Sequence, residues 1–135
     1  MLKSLSIMAV ALTMTATSVA AAPWVALNRN KVNPLPDGSF EVIARPGDGG
    51  AQLWCAAGDY AVRVLRAQAA DRIYITRGRA APETGVGKSA VQFSMTPPPG
   101  VTPGQKTVLL NMKTVGDNLS SAFAQNYCNL EWELH

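Results

Sequence analysis

The sequence has very few of the residues that carry classical enzyme chemistry. It contains one histidine among 135 residues, and that histidine, His135, is the last residue. A terminal histidine is rarely held firmly enough to act as the base for a nucleophile. The carboxylates are scattered, and no pair of aspartate or glutamate residues has a known metal-ligand spacing. The sequence therefore predicts no catalytic set, no metal and no other cofactor.

The chain also lacks a strongly charged segment of either sign. It has 12 basic and 9 acidic residues, and the net charge is only +3. The arginines are spread along the chain, and only Arg72, Arg77 and Arg79 come near to forming a cluster. Nucleic-acid binding needs a continuous basic surface with stacking aromatic residues. We therefore expect no nucleic-acid partner.

Cysteine is scarce as well, with Cys55 and Cys128 as the two copies. They are too far apart for the C-x-x-C spacing of a redox pair. An exported domain with an even number of cysteines usually pairs them, and two cysteines allow one intramolecular connectivity. The sequence therefore predicts a structural Cys55–Cys128 disulfide. It closes a loop of about 73 residues, for which the chain-entropy model gives about 4 kcal/mol of stability.

The N-terminal segment has the order of a secretory signal peptide. Lys3 supplies a positive charge, residues 5–16 are apolar or small, and small residues follow up to a predicted cleavage after Ala21. The apolar stretch is shorter than the roughly 20 residues that a membrane span needs, and no later segment is apolar enough to cross a bilayer. We expect a cleaved signal over 1–21 and a single exported domain over 22–135, periplasmic or secreted and without a membrane span.

One long helix is predicted over residues 51–70. Ala, Leu, Gln and Arg are good helix formers, and apolar residues recur there at helical spacing. Gly58 interrupts this pattern, and a close backbone contact under the helix is the simplest reason for a glycine at that position. Asp48 is expected to cap the start of the helix. Asp59 and Arg63 are expected to form an i,i+4 ion pair.

The remaining segments indicate a β-sheet. Alternation and β-branched residues predict strands over 24–27, 39–45, 72–76, 89–95 and 106–115. The strand over 39–45 is expected to be half-buried, with residues 77–88 and the proline-rich residues 96–104 as connections. Residues 119–128 fit either a short helix or a hairpin strand. The order of elements predicts an α+β domain, with one main helix packed on an antiparallel sheet of four to five strands.

The string Gly85-Val86-Gly87-Lys88-Ser89 looks like part of a phosphate-binding loop. That motif needs a further glycine five positions before Gly87, and Pro82 occupies this place. The residues that follow alternate like a strand, whereas the motif needs a helix there. We therefore interpret the string as a loop with accidental similarity.

The most distinctive stretch is Trp54-Cys55-Ala56-Ala57-Gly58-Asp59-Tyr60-Ala61, followed by Arg72-Ile73-Tyr74-Ile75 and by Phe93 with Pro97-Pro98. With these residues the chain resembles small exported bacterial proteins of unassigned function, over about Phe40 to Gly100. The resemblance implies no activity. Physically, the stretch is typical of a helix start with a bridging cysteine and small residues for close packing. An alternative interpretation is that Trp54 and Tyr60 line a pocket at the helix start.

The missing catalytic sets and the predicted export favour a non-enzymatic binding or interaction domain of the cell envelope. Its partner, a protein or a small ligand, is not identified by the sequence. Two alternatives stay open: an inhibitor of a cell-wall hydrolase, by analogy alone, and a small hydrolase that uses carboxylates. A cleft with two facing acids would favour the hydrolase. An exposed apolar patch would favour the binding domain.

Overall fold

The computed structural model describes residues 4, 6–15, 23–102 and 110–130. Residues 6–15 have no regular secondary structure. From residue 23 onwards the described chain forms one antiparallel sheet of six strands together with two helices, joined by a Cys55–Cys128 disulfide. The predicted α+β class and the predicted disulfide are confirmed, and the sheet has slightly more strands than the four to five expected.

The elements alternate unevenly along the chain. The strands are β1 (Trp24–Val25), β2 (Lys31–Pro34), β3 (Phe40–Ile43), β4 (Arg72–Ala80), β5 (Ala90–Ser94) and β6 (Asn118–Ser120), and the helices are α1 (Gly50–Arg63) and α2 (Ser121–Leu130). Across the sheet the order is β1-β2-β3-β5-β4-β6. Every neighbouring pair is antiparallel.

The core lies between α1 and one face of the sheet, which we call the inner face. Phe40 of β3 and Phe93 of β5 are register partners and stack on each other at 5.8 Å between ring centroids. From α1, Tyr60 packs on Phe40 at 4.6 Å and Trp54 packs on Phe93 at 5.0 Å. Aromatic pairs in such tilted and edge arrangements add to the stability that burial of their area already provides.

The start of α1 differs from the prediction at its cap. The N-cap residue is Gly49, whose N–H donates to Gln52 Oε1 at 2.8 Å. The Asp48 carboxylate accepts instead from the Arg45 N–H and from the Asn30 side-chain amide, both at 2.7 Å. The expectation that Asp48 caps the helix is therefore wrong, because its Oδ2 atom instead accepts hydrogen bonds from Asn30, which is distant in sequence, and from the preceding turn at Arg45.

The end of α1 comes at Arg63, seven residues before the predicted end at Ala70. Arg66 adopts a left-handed conformation with φ 61°, which a helix cannot continue through. The Ala67 N–H then donates to the carbonyl of Ala61 at 2.9 Å and closes the last turn. The composition of this segment favours helix throughout, so propensity alone overestimated its length.

β3 is buried on both faces, whereas its alternation predicted half-burial. All four residues from Phe40 to Ile43 are buried. Phe40 and Val42 lie on the inner face. Glu41 and Ile43 lie on the opposite, outer face, where residues 81–89, which we call the strap, fold back over them. The predicted half-burial of β3 is therefore wrong, because the strap, which comes much later in the sequence, covers its outer face. The alternation within β3 cannot indicate such a contact.

Other strands also differ from their predicted bounds. β4 continues to Ala80 through two register shifts against β5, so part of the predicted loop over 77–88 is strand. β2 at Lys31–Pro34 was not among the predicted strands, and the chain reverses after it at 35–38. Residues 119–128 contain both of the predicted alternatives. The first two belong to strand β6 and the others to helix α2, which follows β6 directly.

The predicted strand over 106–115 is only partly covered by the structure. Residues 110–115 form no strand and run as an irregular segment beside β4, where the Arg79 N–H donates to the carbonyl of Met112 at 2.9 Å. Residues 106–109 lie outside the described residues.

Candidate functional site

A groove of about 340 Å³ lies beside the disulfide, between α2 and the turn that follows β1. Its lining residues are Leu27, Ala122, Gln125, Asn126, Cys128 and Asn129. None of these side chains is charged. The groove therefore offers amide hydrogen-bonding groups and apolar carbon, but no formal charge, to an occupant.

The floor of the groove is fixed by a close approach of α2 to α1. A Cβ atom built on Gly58 would lie 2.7 Å from the carbonyl carbon of Ala124 and would also clash with the backbone of Gln125. The predicted close backbone contact at Gly58 is therefore confirmed. One turn away, Cys55 and Cys128 bring the two helices to 4.8 Å between Cα atoms. The backbone that carries the groove residues is thus held on a rigid support.

α2 has no charged residue, although much of it faces solvent. Its sequence from Ser121 to Leu130 contains neither acid nor base. Exposed helices normally carry charged residues on their solvent face. Here Phe123 is 55% exposed with its ring against Tyr127, and Asn126 and Asn129 are exposed as well. The result is an uncharged surface, partly apolar and rich in amides, next to the groove.

Leu27, the wall of the groove opposite α2, is positioned by the buried carboxylate of Asp59. Asp59 Oδ2 accepts the N–H of Leu27 at 2.9 Å. Both Asp59 oxygens also accept from Arg63, from Nε and from an Nη atom at 2.7 Å each. The Arg63 guanidinium lies over the ring of Trp24 at 4.7 Å. The predicted Asp59–Arg63 pair is confirmed. It holds the turn after β1 in place, and in this turn Leu27 is 58% exposed.

We expect Asp59→Asn to destabilise the protein by about 2 kcal/mol, because three donors converge on two oxygens and an amide replaces one oxygen with a further donor. Urea unfolding measures the loss, and hydrogen exchange at Leu27 reports whether the groove wall loosens. The control is Asp71→Asn, since Asp71 is exposed and its carboxylate accepts the Gln68 N–H at 2.8 Å. An Asp59→Asn protein as stable as the control would contradict this account.

The two aromatic residues expected at a pocket lie in the core. Trp54 is 2% exposed and Tyr60 is 5% exposed, and burial raises the pKa of Tyr60. Tyr60 also contacts Trp24 edge-on at 5.5 Å. Neither residue lines the groove, so the packing gives the expected pocket no support. Of the residues singled out from the sequence, the structure brings only Cys128 to the groove, with Cys55 fully buried behind it.

The buried carboxylates bear on the alternative of a carboxylate-dependent hydrolase. Asp59 and Glu41 are fully buried, and both oxygens of each accept internal hydrogen bonds. A third buried acid, Asp117, precedes β6, and its carboxylate oxygens have no hydrogen-bond partner among the described residues. Among the described residues no cluster of three His, Cys, Asp or Glu side chains could hold a metal ion. The carboxylates of Asp59 and Glu41 thus take part in internal hydrogen bonds within the fold.

Comparison of the chain with protein-family models, with curated proteins and with solved structures gives no match. The groove is therefore interpreted from its own chemistry. Most of its residues were missed at the level of sequence. The lack of charge over 121–130 is visible in the sequence and could have indicated the α2 side, whereas the place of Leu27 depends on a hydrogen bond across 32 residues.

Proposed function

We propose that this protein is an exported, non-enzymatic domain that binds an envelope partner at the groove beside α2. The observation that carries the proposal is the uncharged surface of α2 and Leu27 on a rigid, disulfide-tied support. The centres of protein interfaces are depleted in charged residues and enriched in aromatic ones. An uncharged polypeptide surface, with backbone groups for the amides and apolar side chains for Leu27 and Phe123, is the occupant that this chemistry favours.

Three further observations support export. Disulfides persist mainly in oxidising compartments outside the cytoplasm. The large apolar side chains within residues 6–15, including Ile7 and Met8, are 80–92% exposed and thus bury little against the domain. The order of the first 21 residues fits a secretory signal. In the part of the chain that the structure describes, no helix is long and apolar enough to cross a membrane.

The proposal is tested by site-specific photo-crosslinking in intact cells that express the full chain. A photoreactive amino acid at Asn126 should give one dominant crosslinked product in the envelope fraction. The same group at Lys88, which is exposed on the strap, should not give that product. Leu27→Asp, which places a charge on the groove wall, should abolish the Asn126 product, and N-terminal sequencing of the recovered chain should begin at about residue 22.

The outcomes separate the alternatives. Equal products from both positions, or persistence of the Asn126 product with Leu27→Asp, would contradict the groove as the binding site. Recovery of the chain in the cytoplasm with its first residues intact would contradict export. The inhibitor alternative is a special case of the proposal, because the crosslinked partner would then be a cell-wall hydrolase whose activity falls when the purified protein is added.

A further inference from the structure

The central part of the strap, at Glu83 and Thr84, is attached to the outer face of the sheet chiefly through the carboxylate of Glu41. Glu41 is fully buried. One of its oxygens accepts the Glu83 N–H at 2.9 Å and the Gln92 side-chain amide at 3.1 Å. The other accepts the Thr84 hydroxyl at 2.8 Å and the Thr84 N–H at 3.3 Å. Three of the four donors thus belong to the strap.

Glu41 stands in a row of polar residues that crosses four strands. The strand registers pair Asn33 of β2 with Glu41, Glu41 with Gln92 of β5, and Gln92 with Arg77 of β4. Directly opposed residues of an antiparallel sheet share a face, so the row lies under the strap. The strap also contacts the two ends of the row, since Asn33 donates to the Thr84 hydroxyl at 3.2 Å and Arg77 pairs with Glu83 at 3.3 Å.

The strap buries little apolar surface of its own. Its residues 83–88 are all exposed, and Val86 is among them. Beyond the polar row, it meets the sheet where Gly87 lies against the side chain of Ile43, so closely that an added Cβ would come within 2.6 Å of Ile43 Cγ2. Its last residue, Ser89, is held separately, because its carbonyl accepts the Ala44 N–H at 2.9 Å and its hydroxyl accepts from Arg79 Nε at 3.1 Å. The Arg77–Glu83 pair is solvent-exposed, and such pairs contribute little. Residues 81–87 of the strap therefore depend on the Glu41 hydrogen bonds for most of their attachment.

We propose that Glu41 is an acid-sensitive clasp, and that neutralising its carboxylate releases residues 81–87 of the strap from the outer face while Ser89 stays attached and the disulfide-tied core stays folded. Release uncovers Ile43 and Gln92, which are both buried when the strap is closed. The outer face of β3 and β5 then becomes accessible on the side of the sheet opposite the core. This device is independent of the groove beside α2.

The direction of the pH dependence follows from the surroundings of Glu41. Burial acts to raise the pKa of Glu41, but the hydrogen bonds from Glu83, Thr84 and Gln92 outweigh burial and hold that pKa below its ordinary value. When folding lowers the pKa of a carboxyl group, the group stabilises the folded state, and this contribution is complete above its unfolded-state pKa. The contribution is lost as pH falls through the folded-state pKa. The strap therefore stays closed at neutral pH and opens in acid.

The charged groups around the clasp do not reverse this direction. In the described residues Arg77 of β4 pairs with Glu83 of the strap, and Arg79 of β4 donates to the Ser89 hydroxyl at 3.1 Å. β2 and β5 present the neutral amides of Asn33 and Gln92 to Glu41.

The test is Glu41→Gln in the full chain at neutral pH, read by amide hydrogen exchange and by ¹⁵N relaxation. In either orientation of the glutamine side chain, its NH₂ group faces donors from the strap or from Gln92. We expect exchange at the Glu83 and Thr84 amides to rise about tenfold or more, the effect of losing about 1.5 kcal/mol of hydrogen bonding to a charged group. Protection within α1 should not change.

The matched control is Glu83→Gln, which keeps the backbone N–H that donates to Glu41 and changes only an exposed side chain. It should leave exchange in the strap within about twofold of the wild type. An acid titration of the wild-type protein supplies a second measurement that needs no variant. There the strap amides should lose protection at a higher pH than the amides of α1 and β5. Strap amides that stay protected in Glu41→Gln, or that lose protection only with the whole domain, would overturn the proposal.

Discussion

Replacing Gly58 with alanine is expected to lower the free energy of unfolding by about 3 kcal/mol. The added methyl group overpacks against rigid backbone, and this cost exceeds the gain from the better helix propensity of alanine. The added methyl group would lie 2.7 Å from the carbonyl carbon of Ala124, and the atoms it meets belong to the backbone of α2. A flexible side chain could turn away, but a helix can only shift as a whole. In an ordinary exposed helix the same change would stabilise by up to about 1 kcal/mol, so the packing reverses the sign.

Urea unfolding followed by circular dichroism measures the effect of Gly58→Ala. The control is Gly49→Ser at the N-cap of the same helix, where an added Cβ would meet only Gln52 Oε1 at an ordinary 3.6 Å. Serine is a favourable N-cap residue, so we expect a change of less than about 1 kcal/mol there. If Gly58→Ala were as stable as the wild type, the two helices would not be in such close contact.

Features that depend on short-range sequence were predicted well. The apolar spacing in α1, the glycine within it and the Asp59–Arg63 pair all involve residues within one or two helical turns. The predicted disulfide also proved correct, because two cysteines leave no choice of connectivity. From these features one can predict where α1 lies, that the disulfide begins in it, and that a glycine in it permits a close backbone contact. They do not place the strap or the groove.

The failures have a common physical cause, which is competition from residues distant in sequence. Asp48 has the chemistry of a helix cap, yet its Oδ2 atom accepts hydrogen bonds from Asn30 and from the turn at Arg45. β3 has the alternation of a half-buried strand, yet the strap covers its second face. Helix formers continue beyond Arg63, yet the chain turns sharply at Arg66, and the carbonyl of Ala69 then accepts the N–H of Ala122 at 3.1 Å. In each case local propensity was real but weaker than tertiary contacts.

The groove was the least predictable feature, because its two sides come from opposite ends of the described domain. Leu27 follows β1, while the other lining residues belong to α2, about 100 residues later in the sequence. No periodicity links such segments. They meet because Asp59 in α1 holds the N–H of Leu27, and because Gly58, next to it in sequence, lets α2 approach. Two adjacent residues of one helix therefore determine where both walls of the site lie.

Removing the disulfide is expected to cost about 4 kcal/mol, the value that the chain-entropy model gives for a bridge between residues 73 apart. Cys55→Ala and Cys128→Ala should each show this loss, and the double variant should be no less stable than either single variant, because one bridge is lost in all three. A domain of this size has a total stability of only about 5–15 kcal/mol, so a large share depends on the bridge. Urea unfolding with and without reductant measures it.

The double variant is also the control for the reductant. Reduction should destabilise the wild type and leave Cys55→Ala/Cys128→Ala unchanged. If the bridge acts by restricting the unfolded chain, its loss should also raise the denaturant m-value, since the unfolded state then exposes more surface. Two reactive thiols in the native, oxidised protein would exclude the bridge altogether. An unchanged m-value would place the effect in the folded state.

The bridge and Gly58 should not act independently, because they lie one turn apart in the same contact between α1 and α2. With the disulfide intact, α2 cannot move away from a methyl group at residue 58. Without it, α2 can shift outward and relieve part of the clash. We therefore expect Gly58→Ala to cost less in the Cys55→Ala/Cys128→Ala background, with a coupling of about 1 kcal/mol in a double-mutant cycle. Strict additivity would mean that the bridge does not hold α2 against α1.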